Sequence, residues 1–452
     1  MGEFFPDSEE QSRLDWWPLT LAQLDFWEEY LAHPGVAVST VAHSTRFQGD
    51  LDQAALACAI RQVAAETDVM SLRFRQTPDG PMQAVDPGQR PVLQQVDLRD
   101  HPNPEAEATR RMQADIQSPL DLTRDPLAAL WLLRLPDAWI WYCRGHHIFL
   151  DGYAMALIER RVAALYAEMT GGPATHAAFA PFTDYLREED AYRTGPLHEK
   201  ARAFWAERLA AAPPLRVLDK GSEDYPASPL TAEIDLSDLV QPLRACATAL
   251  QLGEADLLTL LSAIWLWHHP GTQDQPACRD QVIWLPYMSR FGSVSVSIPA
   301  MVVNIFPFTL RYDPARDLVQ NLRDLSGDLR RHRRHGRYRI EQMGQDQGLS
   351  KRQRYLFSPL INVMPFETAS YPKLRCERDV LAAGPADGFN MTFAHSARDA
   401  VLMLYLEADP TLTPPDLFQR HVGGLAAYLQ DCLTKECASP LPWGKAGRCT
   451  GR

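Results

Sequence analysis

Strand-like and helix-like segments alternate along the whole chain, and this alternation limits the possible folds more than any other feature. Residues 21–31 place Leu21, Leu24, Trp27, Tyr30 and Leu31 on one helical stripe. Residues 40–47 alternate like a strand. Residues 52–66 are Ala-rich and helical, with Ala55, Leu56 and Ile60 on one side. Ser71-Leu72-Arg73-Phe74-Arg75 is a short strand ended by the turn signal Pro78-Asp79-Gly80. Residues 130–135 and 139–143 read as a hairpin through Pro136-Asp137. A helix follows over 153–169 and stops at Gly171-Gly172-Pro173. The second half repeats the pattern, with helices over 197–211, 237–250, 254–267, 317–334 and 415–433. Its strands fall at 281–285, 302–310, 360–363 and 401–406. No internal repeat of solenoid or propeller period is present. The pattern predicts a mixed α/β (α+β) sandwich in each half. At 452 residues the chain exceeds the ~250–300 that one core usually organises, so two lobes are expected. The Gly-, Pro-, Ala- and Thr-rich stretch 171–182 is the candidate boundary, giving lobes over 1–180 and 181–452.

Composition removes several classes of function. No apolar run reaches the ~18–20 residues of a membrane helix, and the densest, 257–267, reads as a buried helix. The acidic N-terminus is no secretory signal, and the charged, Pro-bearing segment after Gly2 argues against myristoylation. The expected setting is cytoplasmic, away from a membrane. A formal net charge of −12 argues against a general nucleic-acid binder. The eight cysteines form no CxxC pair and none sits with His at zinc spacing, so free thiols and no metal are expected. Against this acidic background stands a basic run: Arg330, Arg331, His332, Arg333, Arg334, His335, Arg337 and Arg339. It reads as a solvated helix face, or as a docking surface in which Arg333 and Arg334 meet an acidic partner. Trp265, Trp267, His268 and His269 end an apolar helix and read as core packing.

The sharpest local feature is His146-His147-Ile148-Phe149-Leu150-Asp151-Gly152, between an apolar strand and an amphipathic helix. Adjacent His side chains point in different directions, so one of the two faces a given cavity. A neutral imidazole accepts a proton from an amine or hydroxyl near pH 7. Asp151, at the helix start, suits either an N-cap or a pair with Arg. Gly152 allows close approach of a substrate or a facing backbone. A helical His147/Asp151 zinc pair does not fit a helix that begins at Asp151, and no third ligand is apparent.

This string resembles the HHxxxDG motif of condensation domains of nonribosomal peptide synthetases, within the chloramphenicol-acetyltransferase-like superfamily. Further segments agree in order. Leu19-Thr20-Leu21-Ala22-Gln23-Leu24-Asp25-Phe26-Trp27 is similar to the family's first motif, with Asp25 where Arg is usual. Ser71 to Arg75 is similar to the second. Pro286-Tyr287-Met288-Ser289-Arg290 is similar to the fourth, with Ser289 where Gly is common. Val302-Val303-Asn304-Ile305-Phe306-Pro307 is similar to the fifth. Pro359-Leu360-Ile361-Asn362-Val363-Met364-Pro365-Phe366-Glu367 is similar to a late segment. The resemblance spans about 17–433 and is nearest to siderophore-type condensation domains.

The resemblance implies two acyltransferase-like lobes in a V-shaped pseudo-dimer with a tunnel between them. It implies that His147 is catalytic, that His146 is structural, and that Asp151, Gly152 and Arg290 shape the site, Asp151 pairing with Arg290. Asn304 and Asn362 are implied to lie near the tunnel in the second lobe. The implied reaction joins the acyl thioester of a peptidyl or aryl carrier protein to a carrier-bound or free amine. The phosphopantetheine arm belongs to the carrier, the protein holds no cofactor of its own, and a monomer is expected. Two relatives of this chemistry, epimerization and ester formation, and a noncatalytic carrier-docking module are the competing readings. A free-standing enzyme and one domain of a larger synthetase fit the sequence equally.

Overall fold

The computed structural model describes residues 14–174, 177–222, 229–275, 277, 279–384 and 387–436. In chain order the first elements are β1 (Trp17–Pro18), α1 (Leu21–Ala32), β2 (Thr40–Gln48), α2 (Gln53–Glu66), β3 (Leu72–Thr77) and β4 (Gly80–Val85). Next come β5 (Leu93–Asp97), α3 (Pro104–Ile116), β6 (Ala129–Arg134), β7 (Trp139–His146), α4 (Gly152–Met169), α5 (Phe182–Arg193) and α6 (Pro196–Ala210). After β8 (Val217–Asp219) and β9 (Leu230–Asp235) follow α7 (Val240–Leu250), α8 (Glu254–His268), β10 (Gln281–Tyr287), β11 (Asn304–Leu310) and α9 (Leu318–Arg334). The last are α10 (Ile340–Asp346), β12 (Gln353–Tyr355), β13 (Leu360–Met364), β14 (Arg375–Ala383), β15 (Phe389–Ser396), β16 (Val401–Ala408) and α11 (Pro415–Asp431).

These elements gather into two compact units. Of the described residues, the first holds those up to Thr194 together with Arg290–Val302 and Thr368–Gly384. The second holds those of Gly195–Ser289 and Val303–Glu367, and 387–436. A single cut at 180/181 therefore does not describe the chain. Helix α5 stays with the first unit, and two later segments return to it. Arg290, expected in the second lobe, belongs to the first. Residues 175 and 176 of the candidate boundary stretch lie outside the described residues.

The first unit is built on a sheet of order β14-β2-β7-β6-β5, antiparallel except for the parallel pair β5/β6. A smaller sheet, β1-β4-β3, lies in the same unit. Strand β7 is buried from its second residue to its last, which explains why Trp139 to Cys143 reads as a near-continuous apolar run. One face meets Leu56, Ile60 and Val63 of α2 and Ile158, Val162 and Leu165 of α4. The other face, with Tyr142 and Leu133, meets Ala108 and Met112 of α3. Helices α1, α2 and α4 start at side-chain caps. Thr20 and Gln23 form a capping box on α1, and Asp52 accepts from Ala55 N at 2.9 Å at the start of α2.

The second unit carries a sheet of order β11-β10-β13-β15-β16-β9, with β13 parallel to both its neighbours. Helix α8 is buried along the run 257–267, so its apolar character serves a protein core. No single helix among the described residues is long and apolar enough to cross a membrane. Trp265 sits in this core and donates to His421 Nδ1 at 3.0 Å. Of the described cysteines, Cys58, Cys143 and Cys376 are free, while Cys246 is disulfide-bonded, which corrects the free-thiol expectation there.

Gly145 of β7 lies under the turn that carries the motif. A Cβ at Gly145 would stand 2.7 Å from Leu150 Cδ1 and 2.9 Å from Phe149 Cζ, and both side chains are fully buried. Gly145→Ala is expected to cost about 1–3 kcal/mol, read as a lower urea midpoint at unchanged slope.

Candidate functional site

The motif forms a turn between β7 and α4. Phe149 N and Leu150 N donate to the His146 carbonyl at 3.1 and 3.2 Å, and Ile148, Phe149 and Leu150 anchor the turn in the core. The His147 backbone N–H donates to the Ser39 carbonyl at 2.8 Å, which ties the turn to the start of β2. The two imidazoles differ in environment. His146 is 4% exposed; its Nδ1 accepts from Ile148 N at 3.0 Å, and it hydrogen-bonds the Val38 backbone. Burial, with the nearby His147 and Arg144, pushes its pKa down to about 3. His146 is thus a neutral structural ring.

His147 is half-buried and stacks on Phe26 of α1, with ring centroids 5.5 Å apart and planes 13° from parallel. Its Nδ1 is 2.9 Å from the Leu150 carbonyl. Both ring nitrogens of His147 face carbonyl oxygens, which only accept, so a neutral ring donates through one of the two at a time. Burial lowers the His147 pKa from its usual 6.5, partly opposed by the Ala383 and Leu150 carbonyls and by Asp151. The ring is neutral near pH 7. Nε2 lies 3.1 Å from the carbonyl oxygen of Ala383, at the end of β14.

Asp151 fills both roles open to it from sequence. Its Oδ1 accepts from Ala154 N at 2.8 Å as the N-cap of α4. Arg290 Nη2 donates to both its oxygens at 2.9 and 2.8 Å, each partner's side chain being 2% exposed. Asp151 also accepts from Val302 N at 3.0 Å, and Arg290 donates to the carbonyls of Ser295, Ile298 and Ala300. Gly152 is the first residue of α4 and keeps its backbone at the helix N-terminus.

A second polar cluster lies in the same unit. His43 Nδ1 is 2.8 Å from Glu159 Oε1, and Arg378 Nε of β14 donates to the same oxygen at 2.9 Å. Burial works against the Glu159 charge, yet His43 and Arg378 hold its carboxyl below the ordinary range. Burial and the Arg378 charge likewise lower the His43 pKa.

The second-unit residues behave differently from expectation. Asn304 is fully buried: its Nδ2 donates to the Gly336 and Tyr338 carbonyls at 2.8 Å each, and its Oδ1 accepts from Ile340 N at 3.1 Å. Its amide is spent on clasping its own unit's 336–340 segment. Asn362 is half-buried on β13, opposite Thr392. Arg333 is half-buried and ion-paired to Asp256, so it does not present a free docking charge, whereas Arg334 is exposed. Three contributors to the His147 environment escaped sequence reading: Phe26, Ala383 and Gly384. The Gly384-Pro385 pair was the available signal, since it marks a turn. Among the described residues no group of three or more His, Cys, Asp or Glu side chains could hold a metal ion.

Comparison with known proteins now decides the family. The family model described as "Condensation domain" matches residues 14–380. The chain belongs to the condensation-domain family. This condensation domain is 30% identical over 424 residues to the dimodular nonribosomal peptide synthase of Bacillus subtilis, covering 92% of this chain and 18% of that protein. It is 28% identical over 383 residues to enterobactin synthase component F of Escherichia coli, covering 83% of this chain and 29% of that protein. The domain thus spans less than a third of the length of these curated relatives. Among solved structures it is similar to VibH, a condensation enzyme of nonribosomal peptide synthesis. The two share 34% identity and a TM-score of 0.82 over 92% of this chain and 96% of VibH. The starter condensation domain of rhizomide synthetase shares 28% identity and a TM-score of 0.80 over 94% and 95% of the two chains. The mixed α/β fold expected from sequence is the fold of these condensation domains.

Two outcomes follow from this geometry. Arg290→Met leaves the Asp151 carboxylate buried without its ion partner and is expected to cost about 3–5 kcal/mol in urea unfolding. The second concerns pH. The folded pKa of His146 is about 3 and that of His421 about 4, both below the unfolded value near ~6.5. Below pH ~6.5 the unfolded chain takes up protons that the folded chain refuses. Stability from these groups is complete above that pH and falls by about 1.4 kcal/mol per pH unit for each as pH drops. Urea midpoints measured at pH 7, 6 and 5 should fall steadily; a flat profile would contradict the assignment.

Proposed function

We propose that this condensation domain joins a carrier-bound acyl thioester to an amine, with His147 accepting the proton. The observation that supports the reading is the setting of His147: burial lowers its pKa, the Leu150 and Ala383 carbonyls and the Phe26 ring hold the imidazole in place, and a neutral imidazole accepts a proton. In the proposed reaction the amine nitrogen attacks the thioester carbon, the C–N bond forms and the carbonyl π pair moves onto oxygen. An N–H proton passes to His147 Nε2. The C–S bond then breaks, the thiolate takes that proton, and an amide and a free thiol result. The Gly152 N–H, at the positive end of α4, is the proposed donor to the oxyanion. The mechanism calls on no enzyme nucleophile. His146, Asp151 and Arg290 position the turn.

The proposed donor is the phosphopantetheine thioester of a peptidyl or aryl carrier protein, in a siderophore-type pathway of the cytoplasm. The acceptor amine is carrier-bound or free, and the protein acts as a monomer. The exposed Arg334 is the proposed carrier contact, and Asn362 the proposed polar contact of the second unit. Acyl-loaded carrier protein mixed with carrier-bound and free amines, with products read by mass spectrometry, tests the reading. His147→Ala should lower amide formation by roughly 100-fold or more with the fold intact. Full activity in that variant would refute it and leave the docking-module alternative.

A further inference from the structure

The residues that lead from α1 into β2 reach the motif at three successive positions. Val38 hydrogen-bonds the His146 ring through its backbone, Ser39 O accepts from His147 N at 2.8 Å, and Thr40 O accepts from Gly384 N at 3.0 Å. The middle residue stands out. Ser39 has φ +58° and is 2% exposed. A left-handed backbone is costly for a residue that carries a Cβ, and glycine adopts it without that cost. At Ser39 the carbonyl meets the motif while Oγ donates to Glu29 Oε2 of α1. Glu29 lies one turn after Phe26, whose ring stacks on His147 with centroids 5.5 Å apart. Two neighbours on α1 therefore address one histidine, Phe26 through its imidazole and Glu29 through the Ser39 backbone.

A hydroxyl bond to a carboxylate is stronger than one between neutral groups, and here it offsets the backbone cost. Glycine at position 39 would remove the cost and the bond together, and would leave the 38–40 backbone untied from α1. We propose that Ser39 and Glu29 are positioning residues for His147. Their bond fixes the peptide whose carbonyl holds His147 N, and so fixes where the imidazole lies against Phe26. Neither residue is asked to touch substrate. This rests on the amide-forming reading above, in which His147 takes the amine proton. A base displaced by about 1 Å loses much of its rate while the substrate still binds. The loss therefore falls on kcat and leaves KM nearly unchanged.

Four variants separate this role from a purely structural one. Ser39→Ala keeps the backbone cost and loses the bond, whereas Ser39→Gly loses both, so its urea midpoint should lie above that of Ser39→Ala. Both should lower kcat by roughly 10- to 100-fold, with KM within about twofold of wild type. A structural role makes activity follow stability, so recovery of kcat in Ser39→Gly, or a loss carried by KM, overturns the proposal. Glu29→Ala should match the Ser39 variants. In Glu29→Gln the amide oxygen still accepts from the hydroxyl, and kcat should stay within about threefold of wild type. Equal losses in the two Glu29 variants count against the bond and overturn the proposal as well. A second readout needs no turnover. In protein labelled with ¹³C-histidine, the Phe26 ring current displaces the His147 ring resonances, which are assigned by their loss in His147→Ala. That displacement should change in Ser39→Gly and Glu29→Ala and persist in Glu29→Gln. His147 resonances in Ser39→Gly that match wild type overturn the positioning role. A wild type that forms no amide, but whose His147 resonances respond to Ser39→Gly, strikes the amide-forming reading and leaves the positioning role standing.

Discussion

The buried Asp151–Arg290 pair is the contact on which the site depends. Two charges removed from water are costly, and they are tolerated here because nearly every polar atom is used. Asp151 accepts from Arg290, Ala154 and Val302, while Arg290 also donates to three backbone carbonyls. An apolar pair of equal volume would serve stability as well. It would not specify that a segment from the second half of the sequence must seat on the first turn of α4. That seating fixes the helix start, the helix start fixes the 147–150 turn, and the turn fixes the position of the His147 imidazole.

The two histidines of the motif illustrate how one residue type is divided between tasks by environment alone. His146 is enclosed and satisfied by backbone groups, so its pKa falls to about 3 and it is silent at any working pH. His147, one residue on, keeps a half-buried edge, a stacking partner in Phe26 and an Nε2 directed at Ala383. A ring held between a carbonyl and an aromatic face has little freedom to rotate away.

Much of this was legible in the sequence, where strong periodicity or caps made it so. The β6–β7 hairpin, the α4 helix with Asp151 at its head, and buried α8 all lie where their patterns place them. Strand β14 was missed because it is an edge strand: Arg375, Glu377 and Asp379 face solvent, and charges on an edge disguise the alternation that marks a strand. With β14 went Ala383 and Gly384, and so the neighbours of Nε2. The structural task of Asn304 left no trace in the sequence, since its amide closes a loop more than 30 residues away in its own unit. Arg333 reads as part of a basic surface, but its pairing with Asp256 spans 77 positions and leaves no local trace.

The return of residues 368–384 to the first unit has a consequence for how the protein is made. Strand β2 has β7 on one side and β14 on the other, and β14 is encoded more than 300 residues later. During synthesis the N-terminal portion reaches its full length long before its sheet can be completed. Until then β2 presents an unpaired edge to every other nascent chain nearby. A fragment ending near residue 180 carries the motif histidines but neither the arginine that seats their turn nor the strand that closes their sheet.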